Sequence, residues 1–193
     1  MNGSCQTSRQ TEPRPEVGRL YLRLLCRSDD PRHPQAGHVW LFWTSKTPSD
    51  PRSRYRGFWP EVTPGLLDAI RTGHAKRYLV EHKLPGRQIV DAFGPQVESE
   101  HPDRYLEQSW PLDEDAMRRL EEILIDRTQE RFVGGLYGWN DKWDDCDNCS
   151  SWALKVVRYI LGDADSVPCS RPKCLETVER EVMRKPGIDK REG

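Results

Sequence analysis

Two kinds of spacing between apolar residues occur along this chain, and each predicts a different kind of element. Strict alternation, as where Leu20, Leu22 and Leu24 share one face, predicts a half-buried strand. Short aromatic and β-branched runs, such as GHVWLFW at residues 37–43, predict buried strands. The strands predicted in these ways are residues 17–27, 37–43, 55–60, 88–93 and 104–112, with a loop over residues 94–103.

Elsewhere the apolar residues recur at helical spacing. The clearest predicted helix is residues 114–130, which Asp113 caps and whose first turn is acidic. A second strong helix begins at Cys149, continues to about Leu161 and is ended by Gly162. The remaining predictions are helices at residues 64–72 and 174–183 and a flexible, glycine-rich aromatic loop at residues 132–143.

Cys149 has the surroundings of a nucleophile because it falls in the first turn of an apolar helix. Asp147 or Asn148 can cap this helix. Unpaired backbone N–H groups and the positive end of the helix dipole favour thiolate over thiol there, and the same groups could hold an oxyanion. Cys146 is the weaker candidate, since the carboxylates of its acidic turn should raise the pKa of its thiol.

His38 is the histidine best placed to act as a general base, because it alone begins an apolar strand. A histidine at a strand end can face a helix N-terminus across a cleft. The aromatic runs on either side of the polar loop 44–54 predict a hairpin. If Trp43 pairs with Tyr55, His38 lies opposite Pro60, and the following residue, Glu61, is then the predicted group that orients the imidazole.

Gly37-His38 at the start of a strand and Asn148-Cys149 at the start of a later helix resemble the circularly permuted NlpC/P60 group of papain-like cysteine hydrolases. The resemblance spans roughly residues 17–162. It implies an antiparallel sheet packed against the helix of the nucleophile, and acyl transfer from amide, ester or thioester carbonyls. The substrate would be a peptide, an isopeptide, a peptidoglycan stem peptide or a lipid acyl group. A third polar catalytic residue is not evident from the motif.

Three further residues have predicted roles near Cys149. Asn148 is expected to cap the helix, with donation to an oxyanion as the alternative. Trp139 and Trp143, in the glycine-rich loop, are expected to contact substrate, whereas Trp40, Trp43, Trp59 and Trp152 are expected in the core.

The length and net charge of the chain allow predictions about its domains, partners and location. The 193 residues predict one domain at 17–185, with a disordered leader at 1–16 and a charged tail at 186–193. A formal net charge of −1 gives no field that would attract nucleic acid. Without a long apolar run or a signal peptide, we expect no membrane span and a cytoplasmic protein, and no cofactor is expected. Export by a route without an N-terminal signal, as an effector or toxin, stays open.

The competing hypothesis is a non-catalytic interaction module stabilised by zinc. Cys146 and Cys149 have C-x2-C spacing, and Cys169 and Cys174 follow with C-x4-C spacing, which is compatible with four thiolate ligands. A disulfide among these cysteines is a further alternative for an exported protein. A degenerate papain-like fold used only for binding is the third hypothesis.

Overall fold

A computed structural model of the chain describes residues 15–25, 37–45, 54–100, 102, 105–139 and 145–162. Over these residues the fold is α+β, with one seven-stranded sheet and six α-helices. The strands are β1 (Gly18–Leu25), β2 (Val39–Ser45), β3 (Tyr55–Pro60), β4 (Leu84–Val90), β5 (Tyr105–Leu112), β6 (Gly134–Tyr137) and β7 (Cys146–Asp147). The helices are α1 (Pro64–Arg71), α2 (Ala75–Glu81), α3 (Phe93–Glu100), α4 (Glu114–Leu120), α5 (Glu130–Val133) and α6 (Cys149–Leu161).

The sheet has the order β5-β1-β2-β3-β4-β6-β7, and only the β6–β7 pair is parallel. Leu20, Leu22 and Leu24 of β1 are buried on one face, which confirms the alternation seen in the sequence. β2 lies between β1 and β3. The residue that precedes β2, His38, therefore lies at the end of a central strand.

Helix α6 packs against β2, β3 and α4 and forms much of the core. Trp152, Val156 and Ile160 are at most 1% exposed, and each such side chain contributes roughly 1.5–3 kcal/mol by leaving water. Gly162 ends the helix with a φ of 66°, the left-handed conformation that glycine adopts without strain. This packing fixes the start of α6 beside the central strands.

The predicted loop at residues 94–103 is wrong, because residues 93–100 form helix α3. The predicted strand 88–93 is β4, which begins four residues earlier and ends at Val90. Helix α2 was not predicted, and residues 134–137 of the predicted flexible loop form β6. In each case pairing or packing with distant residues outweighs a weak local pattern.

The predicted helix 114–130 is shorter than expected, because it is α-helical over Glu114–Leu120, continues as a π-helical turn over Glu121–Ile125 and ends there, before α5 begins at Glu130. A change from i→i+4 to i→i+5 bonding alters which carbonyls are used within the helix. Here the Leu124 carbonyl accepts from Arg56 Nε at 2.9 Å and from Gln88 Nε2 at 3.2 Å, and both of these side chains are buried. The turn therefore connects this helical segment to β3 and β4.

Some predictions fall outside the described residues. These are most of the leader 1–16, the helix 174–183, the tail 186–193, Trp143, Cys169 and Cys174. Within the part of the chain that the structure describes, no helix is both long enough and apolar enough to cross a membrane.

Candidate active site

Cys149 is the first residue of α6, as the sequence predicts, and Asn148 is its N-cap. The Asn148 side chain accepts from the backbone N–H groups of Ser150 and Ser151, each at 2.9 Å. In return, the Asn148 N–H donates to the Ser151 hydroxyl at 3.0 Å, which completes a capping box. The structure thus confirms that Asn148 caps the helix, through its side-chain oxygen and its backbone N–H.

His38 lies immediately before β2, and the residue is 6% exposed. Its carbonyl accepts from the Leu25 N–H at 2.8 Å, which fixes the backbone against β1. The imidazole Nε2 lies 2.7 Å from Asp91 Oδ2. The side chains of His38 and Cys149 each shift the pKa of the other, so the imidazole and the thiol lie close together. The two residues that the sequence paired as base and nucleophile thus meet in the fold.

Asp91 supplies the carboxylate beside His38 and is 1% exposed, directly after β4. Its Oδ1 accepts from the N–H groups of Phe93 and Gly94 at 2.9 and 3.0 Å, at the start of α3. The Trp59 indole N–H donates to Oδ2 at 3.3 Å. These bonds hold both carboxylate oxygens in fixed positions, one at the helix start and the other toward the imidazole.

Glycine at position 57 leaves the space that the Asp91 carboxylate occupies. A Cβ placed on Gly57 would lie 2.2 Å from Asp91 Oδ2 and 2.8 Å from Trp59 Nε1. Both distances are below any real carbon contact, so a side chain here would displace the carboxylate or the strand.

The prediction of Glu61 as the orienting group is wrong, because His38 contacts Asp91 and the Glu61 carboxylate pairs with Arg87 in an exposed ion pair. The hairpin itself forms, but Phe42, not Trp43, pairs with Tyr55. If the same register continues along both strands, Trp59 lies opposite His38. The rings of these two residues are indeed 4.4 Å apart.

The pKa values of His38 and Cys149 move in opposite directions. Burial disfavours a charge on His38, but hydrogen bonds to Asp91 and Cys149, together with their negative charges, outweigh it and raise its pKa to about 9. Burial also disfavours the Cys149 thiolate, yet the hydrogen bond and charge of His38 lower the thiol pKa below its ordinary value. The arrangement thus favours a thiolate–imidazolium pair.

The Asp91 carboxylate completes this charge arrangement. Burial alone would raise its pKa, but the hydrogen bond and charge of His38, with the Gly94 N–H and the Trp59 indole, lower it. The carboxylate therefore stays ionised. It can hold the imidazole in one orientation and stabilise its protonated form.

Backbone and hydroxyl donors also surround the Cys149 sulfur. The Val39 N–H and the Ser150 hydroxyl both help to lower the thiol pKa, and the Ser150 oxygen lies 4.0 Å from Sγ. Cys149 itself is 3% exposed. The thiolate is thus stabilised by several donors in a site with little water.

Trp139 is placed near this cysteine through Tyr137, a residue that the sequence reading missed. The Trp139 indole N–H donates to the Tyr137 hydroxyl at 3.0 Å, and the pKa of that hydroxyl is raised by burial and then by the charge of Cys149, which lies close to it. The sequence pattern predicts a flexible loop over residues 132–143, so it does not show that Tyr137 ends a strand.

Cys146 is buried in β7, and its thiol donates to Asp145 Oδ1 at 3.7 Å. Burial and then the charge of Asp145 raise its pKa, in the direction predicted for its acidic turn. Its Cα partner is Leu136, whereas Tyr137, which contacts Cys149, points to the opposite face. The side chains of Cys146 and Tyr137 therefore lie on opposite faces of the sheet.

Cys169 and Cys174, two of the four cysteines in the zinc hypothesis, lie outside the described residues. Among residues 15–25, 37–45, 54–100, 102, 105–139 and 145–162, no three His, Cys, Asp or Glu side chains are grouped so that they could hold a metal ion.

Half-buried aromatic rings lie beside the imidazole. Trp59 and Phe93 have ring centres 4.4 and 5.7 Å from that of His38, and both are partly exposed. Their exposed portions form an apolar surface next to the His38 imidazole.

Comparison of the chain with protein families, with curated proteins and with solved structures gave no match. The chemistry of the site therefore has to be argued from its geometry.

Proposed function

We propose that this protein is a thiol hydrolase that acts by acyl transfer, with Cys149 as nucleophile, His38 as general base and Asp91 as the residue that orients and charges the imidazole. The observation that carries the proposal is the buried chain of contacts from Asp91 Oδ2 to His38 Nε2, at 2.7 Å, and from the same imidazole to Cys149 at the first turn of a helix. Covalent acyl transfer by a thiol uses a nucleophile, a base that activates it and a group that orients the base. Cys149, His38 and Asp91 lie in that order.

In the proposed reaction the Cys149 thiolate attacks a substrate carbonyl carbon, and the electrons of the carbon–oxygen double bond move to oxygen. The Cys149 backbone N–H, at the start of α6, stabilises this oxyanion. The His38 imidazolium then gives its proton to the leaving group as the carbonyl re-forms. Water, deprotonated by His38, attacks the acyl-enzyme, and collapse of this second tetrahedral intermediate releases the carboxylic acid and regenerates the Cys149 thiolate beside the His38 imidazolium.

The order of the catalytic elements supports a permuted NlpC/P60-like fold as part of the proposal. The histidine precedes central strand β2, the cysteine begins the later helix α6, and α6 packs on β2 and β3. This arrangement favours amide, ester or thioester carbonyls as substrates. A peptide-like acyl donor suits the aromatic wall of Trp59 and Phe93 beside His38.

The test is alkylation by iodoacetamide over a range of pH, mapped to each cysteine by mass spectrometry, in wild type and His38→Ala. Because the Cys149 pKa is lowered, its alkylation should be half-maximal well below the pH of an ordinary thiol, about 8.5. Without His38, burial is no longer offset, so the midpoint should rise above that value. His74→Ala, which removes an exposed histidine with no capping bond, is the matched control and should alkylate like wild type.

Equal alkylation of Cys149 in wild type and His38→Ala would refute the catalytic pair. Metal analysis of the same preparation decides the alternative: one equivalent of zinc per chain, with Cys149 protected until a chelator is added, would favour the zinc-stabilised module instead.

A further inference from the structure

The side chain of Tyr137 lies beside Cys149, the proposed nucleophile. Tyr137 ends β6 and is 4% exposed, and its ring stacks on Phe58 at 5.8 Å. Its Cα partner is Asp147, and the N–H of Gly138 donates to the Asp147 carbonyl at 2.9 Å. This pairing holds the tyrosine beside the turn that leads into α6.

Trp139 determines where the Tyr137 proton can point. An indole N–H only donates, and that of Trp139 donates to the phenol oxygen at 3.0 Å. The Trp139 backbone N–H donates to the Leu79 carbonyl at 3.1 Å, which anchors the tryptophan to α2. The phenol proton must therefore point away from Trp139, and the side chain that the hydroxyl contacts there is Cys149.

The same hydroxyl lies within hydrogen-bonding reach of the Cys149 backbone N–H. Burial and then the charge of Cys149 raise the pKa of Tyr137 well above its ordinary value, so the phenol keeps its proton. A phenol O–H that keeps its proton and the Cys149 backbone N–H are thus both close to the Cys149 sulfur.

We propose that the Tyr137 hydroxyl is the second donor of the oxyanion hole, beside the Cys149 backbone N–H, and that Trp139 is a positioning residue that directs the Tyr137 proton. This inference rests on the proposed thiol hydrolase function and adds two residues to it.

The proposed step transfers no proton from tyrosine. As Sγ bonds to the carbonyl carbon, the sulfur loses its negative charge and the carbonyl oxygen gains it. The Tyr137 O–H, which donates to the thiolate in the resting site, then donates to this oxygen. When the carbonyl re-forms and the leaving group departs with the His38 proton, the hydroxyl is again free to bond to sulfur.

Two probes of Cys149 separate this role from a structural one. Acylation by p-nitrophenyl acetate passes through an oxyanion, whereas alkylation by iodoacetamide displaces iodide and forms none. In Tyr137→Phe, acylation should fall by about 100-fold, the loss typical of one oxyanion-hole donor, while alkylation should change by less than about fivefold. Tyr159→Phe, which removes a phenol hydroxyl bonded to Glu122 on another face of α6, is the matched control and should leave both rates unchanged.

Trp139→Phe tests the positioning role, because phenylalanine keeps the ring but loses the N–H. Acylation should fall about tenfold in this variant, again with alkylation preserved. If Trp139 acts only through Tyr137, the double variant should be no slower than Tyr137→Phe alone. Additive losses in the double variant would overturn the positioning role.

Parallel changes in acylation and alkylation in Tyr137→Phe, or no change in either, would overturn the oxyanion role while leaving the catalytic pair intact. A different result would contradict the proposed thiol hydrolase function itself. In that result, the reaction of Cys149 with both probes is the same in wild type and in His38→Ala. Circular dichroism and urea unfolding of each variant establish that the compared proteins are folded.

Discussion

Replacement of Asp91 by asparagine is the sharpest test of how the site is charged. Asparagine keeps an oxygen that can accept from the Phe93 and Gly94 N–H groups, so the start of α3 should be preserved. What is lost is the negative charge 2.7 Å from His38 Nε2. The substitution therefore changes the electrostatics of the imidazole with little change in packing.

The size of the effect follows from the His38 pKa. The difference between its ordinary value of 6.5 and about 9 corresponds to about 3 kcal/mol in favour of the imidazolium. Asp91 and Cys149 both contribute to it, so loss of the Asp91 charge should remove about 1 to 2 kcal/mol, which is about one pH unit. A less basic imidazole stabilises the thiolate less, so the alkylation midpoint of Cys149 should rise by about that amount.

The assay is the pH dependence of iodoacetamide alkylation at Cys149, together with acylation by p-nitrophenyl acetate. Acylation should fall further than alkylation, by up to about 10⁴-fold, because the imidazole also loses the partner that fixes its orientation. Glu61→Gln makes the same chemical change at the exposed Glu61–Arg87 ion pair and serves as control. An unshifted midpoint in Asp91→Asn, or an equal shift in Glu61→Gln, would refute the assignment of Asp91.

Two further substitutions test the local structure around the pair. Gly57→Ala places a Cβ against Asp91 Oδ2, so it should destabilise the fold by about 1–3 kcal/mol in urea unfolding and raise the Cys149 alkylation midpoint, as Asp91→Asn does. Gly135→Ala, where a Cβ meets nothing within 4 Å, is its control, and the reasoning fails if the two variants behave alike. Asn148→Ala removes the cap of α6 and should cost about 1–2 kcal/mol of unfolding free energy. Asn148→Asp should retain the cap but raise the alkylation midpoint through its negative charge beside Cys149; a midpoint unchanged in that variant would contradict the electrostatic account.

The parts of the site that lie within one element could be predicted from sequence. Cys149 at the first turn of α6 follows from the apolar spacing of the helix and the capping residue before it, and both are local. His38 at the start of β2 follows from an aromatic, β-branched run preceded by glycine. That the two would meet was a prediction from their order and type, and the fold brings them together.

Asp91 could not be found in this way because its place depends on pairing between strands. The β3–β4 register, with Arg56 opposite Val90, brings Asp91 next to Tyr55, whose carbonyl accepts its N–H at 3.1 Å. The sequence pattern predicts a strand over residues 88–93, which makes Asp91 an interior residue of that strand. The available signal was an aspartate between an apolar run and the first turn of α3, which is typical of an N-cap.

Helix α3 itself was missed because its amphipathic pattern is weak. Gly94 and Pro95 occur in its first turn, and Val97 is its buried aliphatic side chain. Proline is tolerated in a first turn, but with so short an apolar stripe the segment is stabilised by packing rather than by propensity. The glycine is required for a tertiary contact, since a Cβ there would lie 2.7 Å from the Trp40 ring.

The distribution of the catalytic groups over separate strands and a late helix has a consequence for how this protein is made. Until β2, β4 and α6 are assembled, the sulfur of Cys149 lacks its imidazole and should react as an ordinary, weakly acidic thiol. In a chain that is still being synthesised, Cys149 would thus react slowly with electrophiles. The appearance of a fast-reacting cysteine would show that folding is complete.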